Sequence, residues 1–235
     1  MVILVTGGTR GVGYAISQYF KQKGHVVIVN YFNSDNLASE MQKEGFDTYK
    51  ADVANAFDVQ KMFEHLFKKY GKIDLLINNA GISLTQKLFL DTTEEEFDKI
   101  FNVNVKGVYN TSKEYVKYML NKTGKIINVS SIFALKGGSC EAIYTASKSA
   151  VSGFTRALSE ELAFSQIGVC QVVLGLIDTQ MNNHLSRQDK LDFVKECKLC
   201  KVYSPHDVAK RLYSVANKSV DRINGKTYKI GVGKL

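Results

Sequence analysis

Residues 2–13 read Val-Ile-Leu-Val-Thr-Gly-Gly-Thr-Arg-Gly-Val-Gly, an apolar run that passes directly into a glycine-rich loop. The run predicts a buried strand, and a helix is expected from about Val12. Glycines at such a turn let the backbone approach a pyrophosphate, which the positive helix N-terminus attracts. A tight turn without a ligand also fits this stretch taken alone. The candidate nucleotide-binding residues of the loop are Gly7, Thr9, Arg10, Gly11, Val12 and Gly13.

Further short runs of Val, Ile and Leu recur along the chain, separated by longer amphipathic stretches, which is typical of βαβ units. The runs are continuously apolar, so both faces of each strand are expected to be covered by helices. The sequence predicts one α/β domain over residues 1–235, a doubly wound Rossmann-type fold with about seven parallel strands. The expected strands are Val2 to Val5, Val26 to Asn30, Thr48 to Lys50, Leu75 to Ile77, Lys125 to Val129, Val169 to Leu174 and Lys226 to Ile230.

Helix signals fall between these strands. Thr92 and Thr93 precede three glutamates as a capping box, and Pro205 is typical of a first helical turn. A long helix is expected from Ala142 to Phe164. The polar, lysine-rich segment 179–201 fits a lid over a substrate pocket and fits a pair of surface helices equally well.

Composition excludes several classes of protein. Of the 235 residues 45% are hydrophobic and 23% are charged, which argues against a disordered chain. No apolar run approaches the ~20 residues of a membrane span, and no signal peptide is recognisable, so we expect a soluble, cytoplasmic protein that does not bind membranes. The formal net charge of +8 favours acidic partners, but the basic residues are scattered, and nucleic acid is not expected as a partner. The four cysteines, including the pair Cys197 and Cys200, are expected to be reduced thiols, and no metal site is predicted.

The end of the second strand indicates which dinucleotide binds. Enzymes that prefer NAD usually place an acid there, whereas this chain has no acid from Val29 until Asp35. Arg10 is able to pair with the extra phosphate of NADP, so NADP(H) is the predicted cofactor, with Tyr31 beside it. The side chains and loops expected to reach the adenine and its ribose are Asp52, Val53, Asn79, Ala80 and Gly81.

Tyr144 and Lys148 are four residues apart on a predicted helix, which puts the phenol and the ammonium on one face. The positive charge is expected to lower the pKa of Tyr144 and so prepare it to protonate an alkoxide. Ser131, at the end of the fifth strand, is placed to hydrogen-bond the same oxygen. As an isolated pair, Tyr144 and Lys148 would fit an ordinary helix surface.

Taken together, these motifs resemble the short-chain dehydrogenase/reductase family over essentially the whole chain, in the family's order. They are TGGTRGVG, NNAG, Asn104 in NVNVKG, Ser131 in INVSS, and Tyr144 with Lys148 in YTASK. The resemblance implies that Tyr144 is the general acid/base, Lys148 its pKa partner and ribose ligand, and Ser131 the carbonyl stabiliser. It further implies that Asn104 anchors a proton-relay water, and that Ile177 and Thr179 contact the nicotinamide carboxamide.

The chain departs from the family pattern at two positions. Leu174-Gly175 replaces Pro-Gly, so the resemblance does not fix the course of the chain that presents Ile177 and Thr179. Gly231-Val232-Gly233 replaces Asp-Gly-Gly near a subunit contact.

Within the family, the chain looks most like bacterial 3-oxoacyl-acyl-carrier-protein reductases, which implies an NADPH-dependent ketoreductase acting on a ketone carried by a small acidic protein. Residues Ser131 to Phe133 and Gly138 to Glu141 are also similar to reductases of a 5-aminopentanone group on elongation factor P. Glu141 would then meet the substrate amine, or would only be a glutamate in a helix first turn. A catalytically silent NADP-binding regulatory protein is a third hypothesis. The relatives imply a homotetramer.

Overall fold

A computed structural model describes residues 1–183, 185–197, 199 and 201–232. In this part of the chain the strands form one parallel sheet in the order β3-β2-β1-β4-β5-β6-β7. The doubly wound Rossmann-type fold expected from the sequence is therefore confirmed. The strands are β1 Val2–Thr6, β2 Val26–Tyr31, β3 Asp47–Lys50, β4 Leu75–Asn78, β5 Gly124–Ser131, β6 Ile167–Leu174 and β7 Thr227–Ile230.

Helices cover both faces of the sheet. On β1, Ile3 and Val5 pack into one apolar cluster and Leu4 into the other, because successive side chains of a strand point to opposite faces. The first cluster includes side chains of the helices Gly11–Gln22 and Pro205–Ala216, and the second includes side chains of the helices Ala56–Tyr70 and Gly107–Met119. The helices are α1 Gly11–Gln22, α2 Asp35–Lys43, α3 Ala56–Tyr70, α4 Glu94–Phe101, α5 Gly107–Met119, α6 Ala142–Glu161, α7 Arg187–Glu196, α8 Pro205–Ala216 and α9 Val220–Ile223.

The expected helix boundaries differ from the structure at one end. Thr93 closes the capping box on α4 with Glu96, and Pro205 is the first residue of α8. However, α6 ends at Glu161, three residues before the predicted end. The backbone N–H of Ala163 bonds to the carbonyl of Glu160, which tightens the chain into a turn and leaves Phe164 fully exposed.

The carboxyl ends of the parallel strands meet at one edge of the sheet. β1 and β4 are neighbours in the sheet. From β1 the chain continues through β2 and β3 to one edge of the sheet, and from β4 it continues through β5 and β6 to the other edge, so the strand order reverses between β1 and β4. At such a reversal the loops after the two strands diverge to opposite faces and leave a crevice. The candidate residues after β1, β4, β5 and β6 therefore converge on one crevice.

Among its described residues, the segment 179–201 contains a 3₁₀ turn, Gln180–Asn182, and the helix α7. Lys190 of α7 forms an ion pair with Asp178 at 2.7 Å. Within the segment, residues 184, 198 and 200 lie outside the described residues, and so does Gly233. Of the neighbouring cysteines Cys197 and Cys200, the structure describes Cys197, which is a buried free cysteine.

Two negative findings concern the described residues only. Across residues 1–183, 185–197, 199 and 201–232, no helix is long and apolar enough to cross a membrane. In the same ranges, no group of three or more His, Cys, Asp or Glu side chains could hold a metal ion.

Candidate active site

The glycine loop turns β1 into α1 with a conformation that suits an anion. Gly7 and Gly11 have φ angles of +61° and +50°, which glycine adopts without strain. Gly13 packs so closely on the loop that a Cβ there would collide with the carbonyl oxygen of Gly7. No side chain caps the first turn of α1, and that turn contains no acid. Its backbone N–H groups therefore fit a pyrophosphate.

The loops after β1 and β4 are tied together by side chains. The hydroxyl of Thr6 accepts hydrogen bonds from the backbone N–H groups of Asn79 and Ala80, both at 3.0 Å. The side-chain amide of Asn79 donates in return to the carbonyls of Thr6 and Gly7, at 3.0 and 3.1 Å. Thr6 carries no signal in the sequence beyond its place before the glycines, and sequence analysis did not identify this role.

The side chain of Arg10, the residue before α1, reaches the loop after β2, where the sequence lacks an acid. Its guanidinium donates to Ser34 Oγ at 2.7 Å and to the carbonyl oxygen of Asn33 at 3.0 Å. Asp35, the first acid after β2, forms an ion pair with Lys50 at 2.8 Å. Among the described residues, no carboxylate forms an ion pair with this guanidinium. A guanidinium held in this way fits the additional phosphate of NADP better than a bare ribose. Tyr31, half-buried, is the last residue of β2.

The residues after β3 are placed by backbone and helix contacts. The Asp52 carboxylate accepts from the N–H of Ala54 at 2.9 Å, and Val53 is buried. The amide of Asn110 donates to the Val53 carbonyl at 2.9 Å, a contact that sequence analysis missed. Gly107 allows this approach, since a Cβ there would lie 2.7 Å from Val53 Cγ2.

Asn104 lies in a π-helical segment, Asn102–Lys106, between α4 and α5, and it is fully buried. Its Oδ1 accepts from the N–H of Ile82 at 2.8 Å, while its Nδ2 donates to the Ile82 carbonyl at 3.0 Å and to Ser147 Oγ at 3.1 Å. One side chain thus joins the loop after β4 to α6. A π-bulge inside a helix is frequent at functional sites.

The structure brings Ser131, Tyr144 and Lys148 together. Ser131 ends β5 and hydrogen-bonds to Tyr144. Lys148 is buried, with Nζ 5.7 Å from the centre of the Tyr144 ring. A Cβ on Gly81 would lie 3.3 Å from both Lys148 Nζ and Asn104 Oδ1, so the missing side chain leaves the space between these groups open. Loops after β4 and β5, the π-helical segment and α6 thus share one site.

The protonation states differ from the expectation for Tyr144. Burial raises the pKa of Tyr144 to about 12, the hydrogen bond from Ser131 opposes that rise, and the negative charge of Glu141 adds to it. Burial also lowers the pKa of Lys148 to about 8. The expected lowering of the tyrosine pKa by the lysine is therefore absent here, because desolvation of both groups is the larger effect.

Glu141 occupies the N-cap position of α6 and does not cap the helix with its side chain. Its Oε1 accepts a hydrogen bond from Gln86 Nε2 at 3.3 Å. Gln86 belongs to the segment between β4 and α4, so the pair joins that segment to the start of α6, three residues before Tyr144. The sequence predicted Glu141 in the first turn of α6, where the helix dipole would stabilise its negative charge. In the structure Glu141 lies one position before that turn.

The two departures from the family pattern touch each other. The N–H of Gly175 donates to the Ile230 carbonyl at 2.9 Å, and a Cβ on Gly175 would lie 2.5 Å from the carbonyl oxygen of Gly231. Beyond this contact Ile177 pairs with Tyr203 in an isolated bridge. Thr179 lies against the glycine loop, since a Cβ on Gly11 would be 3.6 Å from Thr179 Cγ2. The replaced proline therefore leaves Thr179 beside the predicted nucleotide site.

Comparison with known proteins agrees with this geometry. Residues 1–190 match the family described as short chain dehydrogenase. The chain is 33% identical to the 3-oxoacyl-[acyl-carrier-protein] reductase FabG of Thermotoga maritima, with 99% of this chain and 96% of the relative covered. It is 32% identical to FabG of Staphylococcus aureus, with 98% and 96% covered.

Solved structures give the same result. A short chain dehydrogenase from Burkholderia cenocepacia in complex with NADP is 28% identical, with a TM-score of 0.86 over 99% of this chain and 96% of that one. ElxO with NADP bound is 30% identical, with a TM-score of 0.86 over 97% and 96%. The chain therefore belongs to the short-chain dehydrogenase family and is an oxidoreductase.

Proposed function

We propose that this protein reduces the 3-ketone of a 3-oxoacyl group carried by acyl carrier protein, giving the 3-hydroxyacyl product. The cofactor is NADP(H), in agreement with the NADP-bound structures of similar chains and with the fixed guanidinium of Arg10 at the loop after β2. The observation that carries the choice of substrate is the similarity to 3-oxoacyl-[acyl-carrier-protein] reductases along nearly the full length of both chains.

Four side chains divide the work in this proposal. NADPH, when bound, supplies the hydride to the carbonyl carbon. Tyr144 donates its phenolic proton to the carbonyl oxygen, and Ser131 donates a hydrogen bond to the same oxygen as negative charge develops there. Lys148 supplies positive charge and a donor to the ribose. Asn104 holds the water through which the proton of Tyr144 is replaced.

The remaining candidate residues bind the cofactor. The loop residues from Gly7 to Gly13 bind the pyrophosphate through backbone N–H groups. Asp52, Val53 and the loop Asn79 to Gly81 lie along the adenosine, and Ile177 and Thr179 orient the nicotinamide. The protein further assembles as a homotetramer, which light scattering on the purified protein tests directly.

The position of Glu141 supports a second candidate substrate, a ketone that carries an amine. Its carboxylate acts electrostatically on Tyr144, so an amine on the substrate would meet a negative charge beside the reacting carbonyl. A 5-aminopentanone group on a lysine of elongation factor P has such an amine. This second candidate keeps the same hydride transfer and changes the protein that carries the ketone.

The deciding experiment follows NADPH consumption with a 3-oxoacyl thioester and with 5-aminopentanone-modified elongation factor P, for the wild type and for Glu141→Gln. Glu160→Gln, exposed near the far end of α6, is the matched control. Turnover of the thioester with little change in Glu141→Gln supports the carrier-protein substrate. Preference for the amino ketone that is lost in Glu141→Gln alone supports the elongation-factor substrate. NADPH binding without turnover of either substrate contradicts both.

A further inference from the structure

Three aromatic rings form a row that begins at Tyr144. The ring centre of Phe133 lies 6.2 Å from that of Tyr144 and 5.7 Å from that of Phe193, and both pairs are nearly perpendicular at 89°. Edge-to-face pairs at these distances are favourable beyond their buried area. Phe133 belongs to the 3₁₀ turn Ile132–Ala134 after β5, and Phe193 belongs to α7. The row therefore connects the strand end that carries Ser131 with the segment after β6.

The Phe133 ring is confined on the side of the loop before α6. A Cβ on Gly138 would lie 2.5 Å from Phe133 Cε1 and 2.8 Å from Cδ1, so the ring packs directly on the glycine backbone. The backbone N–H of Phe133 donates to Ser131 Oγ at 3.3 Å, which ties the residue to the candidate oxygen-binding serine. The neighbouring Ile132 is buried. The backbone of Gly138 therefore blocks movement of the ring toward the loop before α6.

Phe193 is held in place as well. It packs on a small apolar cluster that contains Ile132, Leu176 and Cys197. The ion pair between Lys190 and Asp178 joins α7 to the chain just before Thr179. Phe133 and Phe193 thus pack as a pair beside Tyr144, one on the 3₁₀ turn after β5 and the other on α7.

We propose that Phe133 determines which ketones fit beside Tyr144, and that Phe193 positions it, so that the site takes ketones with a slim aliphatic substituent and rejects an aryl substituent at the carbonyl. This inference rests on the proposed function, since Tyr144 must be the group that meets the carbonyl oxygen. A packed ring leaves no room for added volume without strain. One methylene in an apolar pocket changes kcat/KM by about 10- to 200-fold, and an aryl ring adds more volume than that.

The test compares kcat/KM for acetoacetyl and benzoylacetyl thioesters with NADPH, in the wild type, Phe133→Ala and a control, Phe57→Ala on the exposed side of α3. The wild type is expected to prefer the acetoacetyl substrate by at least about 10-fold, and Phe133→Ala to reduce that ratio by at least about 10-fold. The gain comes mainly from a lower KM for the aryl substrate. The control keeps the wild-type ratio, and all variants keep their NADPH affinity.

Four further variants separate a positioning role from general damage to the protein. Phe193→Ala is expected to lower the ratio of kcat/KM for the acetoacetyl thioester to that for the benzoylacetyl thioester, by less than Phe133→Ala does. Phe193→Tyr, which keeps the ring, is expected to retain the wild-type ratio. Gly138→Ala pushes a Cβ against the Phe133 ring and lowers kcat/KM for both substrates. That loss disappears in the double variant Gly138→Ala/Phe133→Ala, because the clash needs both groups.

Four outcomes overturn the inference. A Phe133→Ala variant with normal NADPH affinity and an unchanged substrate ratio removes the role of the ring, as does an equal loss for both substrates. A wild type that reduces both thioesters equally well contradicts the selectivity while leaving the proposed reductase activity intact. A wild type that binds NADPH and reduces no ketone refutes the proposed function and the inference with it.

Discussion

Lys148 Nζ lies 5.7 Å from the centre of the Tyr144 ring, but it donates a hydrogen bond to the backbone carbonyl of Val129, at 3.2 Å. The end of β5 therefore fixes the position of the ammonium, and α6 fixes that of the phenol. With the pKa of Tyr144 raised to about 12 and that of Lys148 lowered to about 8, the phenol is neutral and the lysine is largely charged at pH 7. This is the protonation state that a reductase needs before proton donation.

Tyr144→Phe tests the proton donor. The change removes the hydroxyl and leaves the ring, so the contact with Phe133 is kept. Turnover with NADPH is expected to fall by about 100-fold or more, while NADPH affinity stays nearly unchanged. Steady-state kinetics and a fluorescence titration of NADPH measure the two quantities. Turnover close to the wild-type value would refute the role of Tyr144.

Lys148→Met tests the cost of burying the lysine. The folded pKa is about 8 and the ordinary value is 10.5, so between these values the unfolded chain binds a proton that the folded protein has released. The contribution of Lys148 to the free energy of unfolding of the wild type therefore rises with pH through this window, by about 1.5 kcal/mol between pH 8 and 9.5. Urea unfolding at both pH values measures the wild type against Lys148→Met, which lacks this contribution. A difference between them that does not change with pH contradicts the shifted pKa.

Arg10→Ala tests the NADP phosphate site. The guanidinium is already oriented by Ser34 and the Asn33 carbonyl, so its loss removes a charge-assisted contact and little else. The Kd of NADPH is expected to rise by about 10- to 100-fold and that of NADH by less than about threefold. Calorimetric titration with both nucleotides gives the comparison, and Lys23→Ala, exposed after α1, is the control. Equal losses for both nucleotides would exclude the phosphate role.

Asn104→Ala tests the link between the loop after β4 and α6. The substitution leaves the backbone N–H of Ile82 without the Asn104 oxygen it bonds to, which costs about 1–3 kcal/mol of stability. For a chain of this size the thermal midpoint is expected to fall by several degrees, at about 2–4 °C per kcal/mol. Differential scanning calorimetry measures the shift, with Asn36→Ala on the exposed side of α2 as the control. An unchanged midpoint would show that the bridge contributes nothing.

Much of the sheet follows from local sequence. Runs such as Val26 to Asn30 and Val169 to Leu174 are apolar on both faces, and only a strand covered on both sides accommodates that pattern. The end of α6 was misplaced by three residues because apolar character continues to Phe164, although the chain turns after Glu161. Helix ends depend on backbone geometry, which a pattern of side chains does not contain.

The candidate site divides in the same way. Tyr144, Lys148 and the glycine loop carry their chemistry in their spacing, because four residues make one helical turn and glycines mark a close backbone approach. Thr6 and Asn110 carry no such signal. Each hydrogen-bonds to a group more than 50 positions away along the chain, so only the assembled sheet brings the partners together.

The sequence by itself determined the fold class, the NADP preference and the identity of the candidate acid, since each depends on residue type and short-range spacing. The tertiary structure alone decided the protonation states of Tyr144 and Lys148, because burial acts on a charge through every atom that displaces water around it. It also decided the contact of Phe133 with Gly138 and Phe193. The contact between Phe133 and Phe193 joins residues 60 positions apart, and it forms where the 3₁₀ turn after β5 packs on the same apolar cluster as α7.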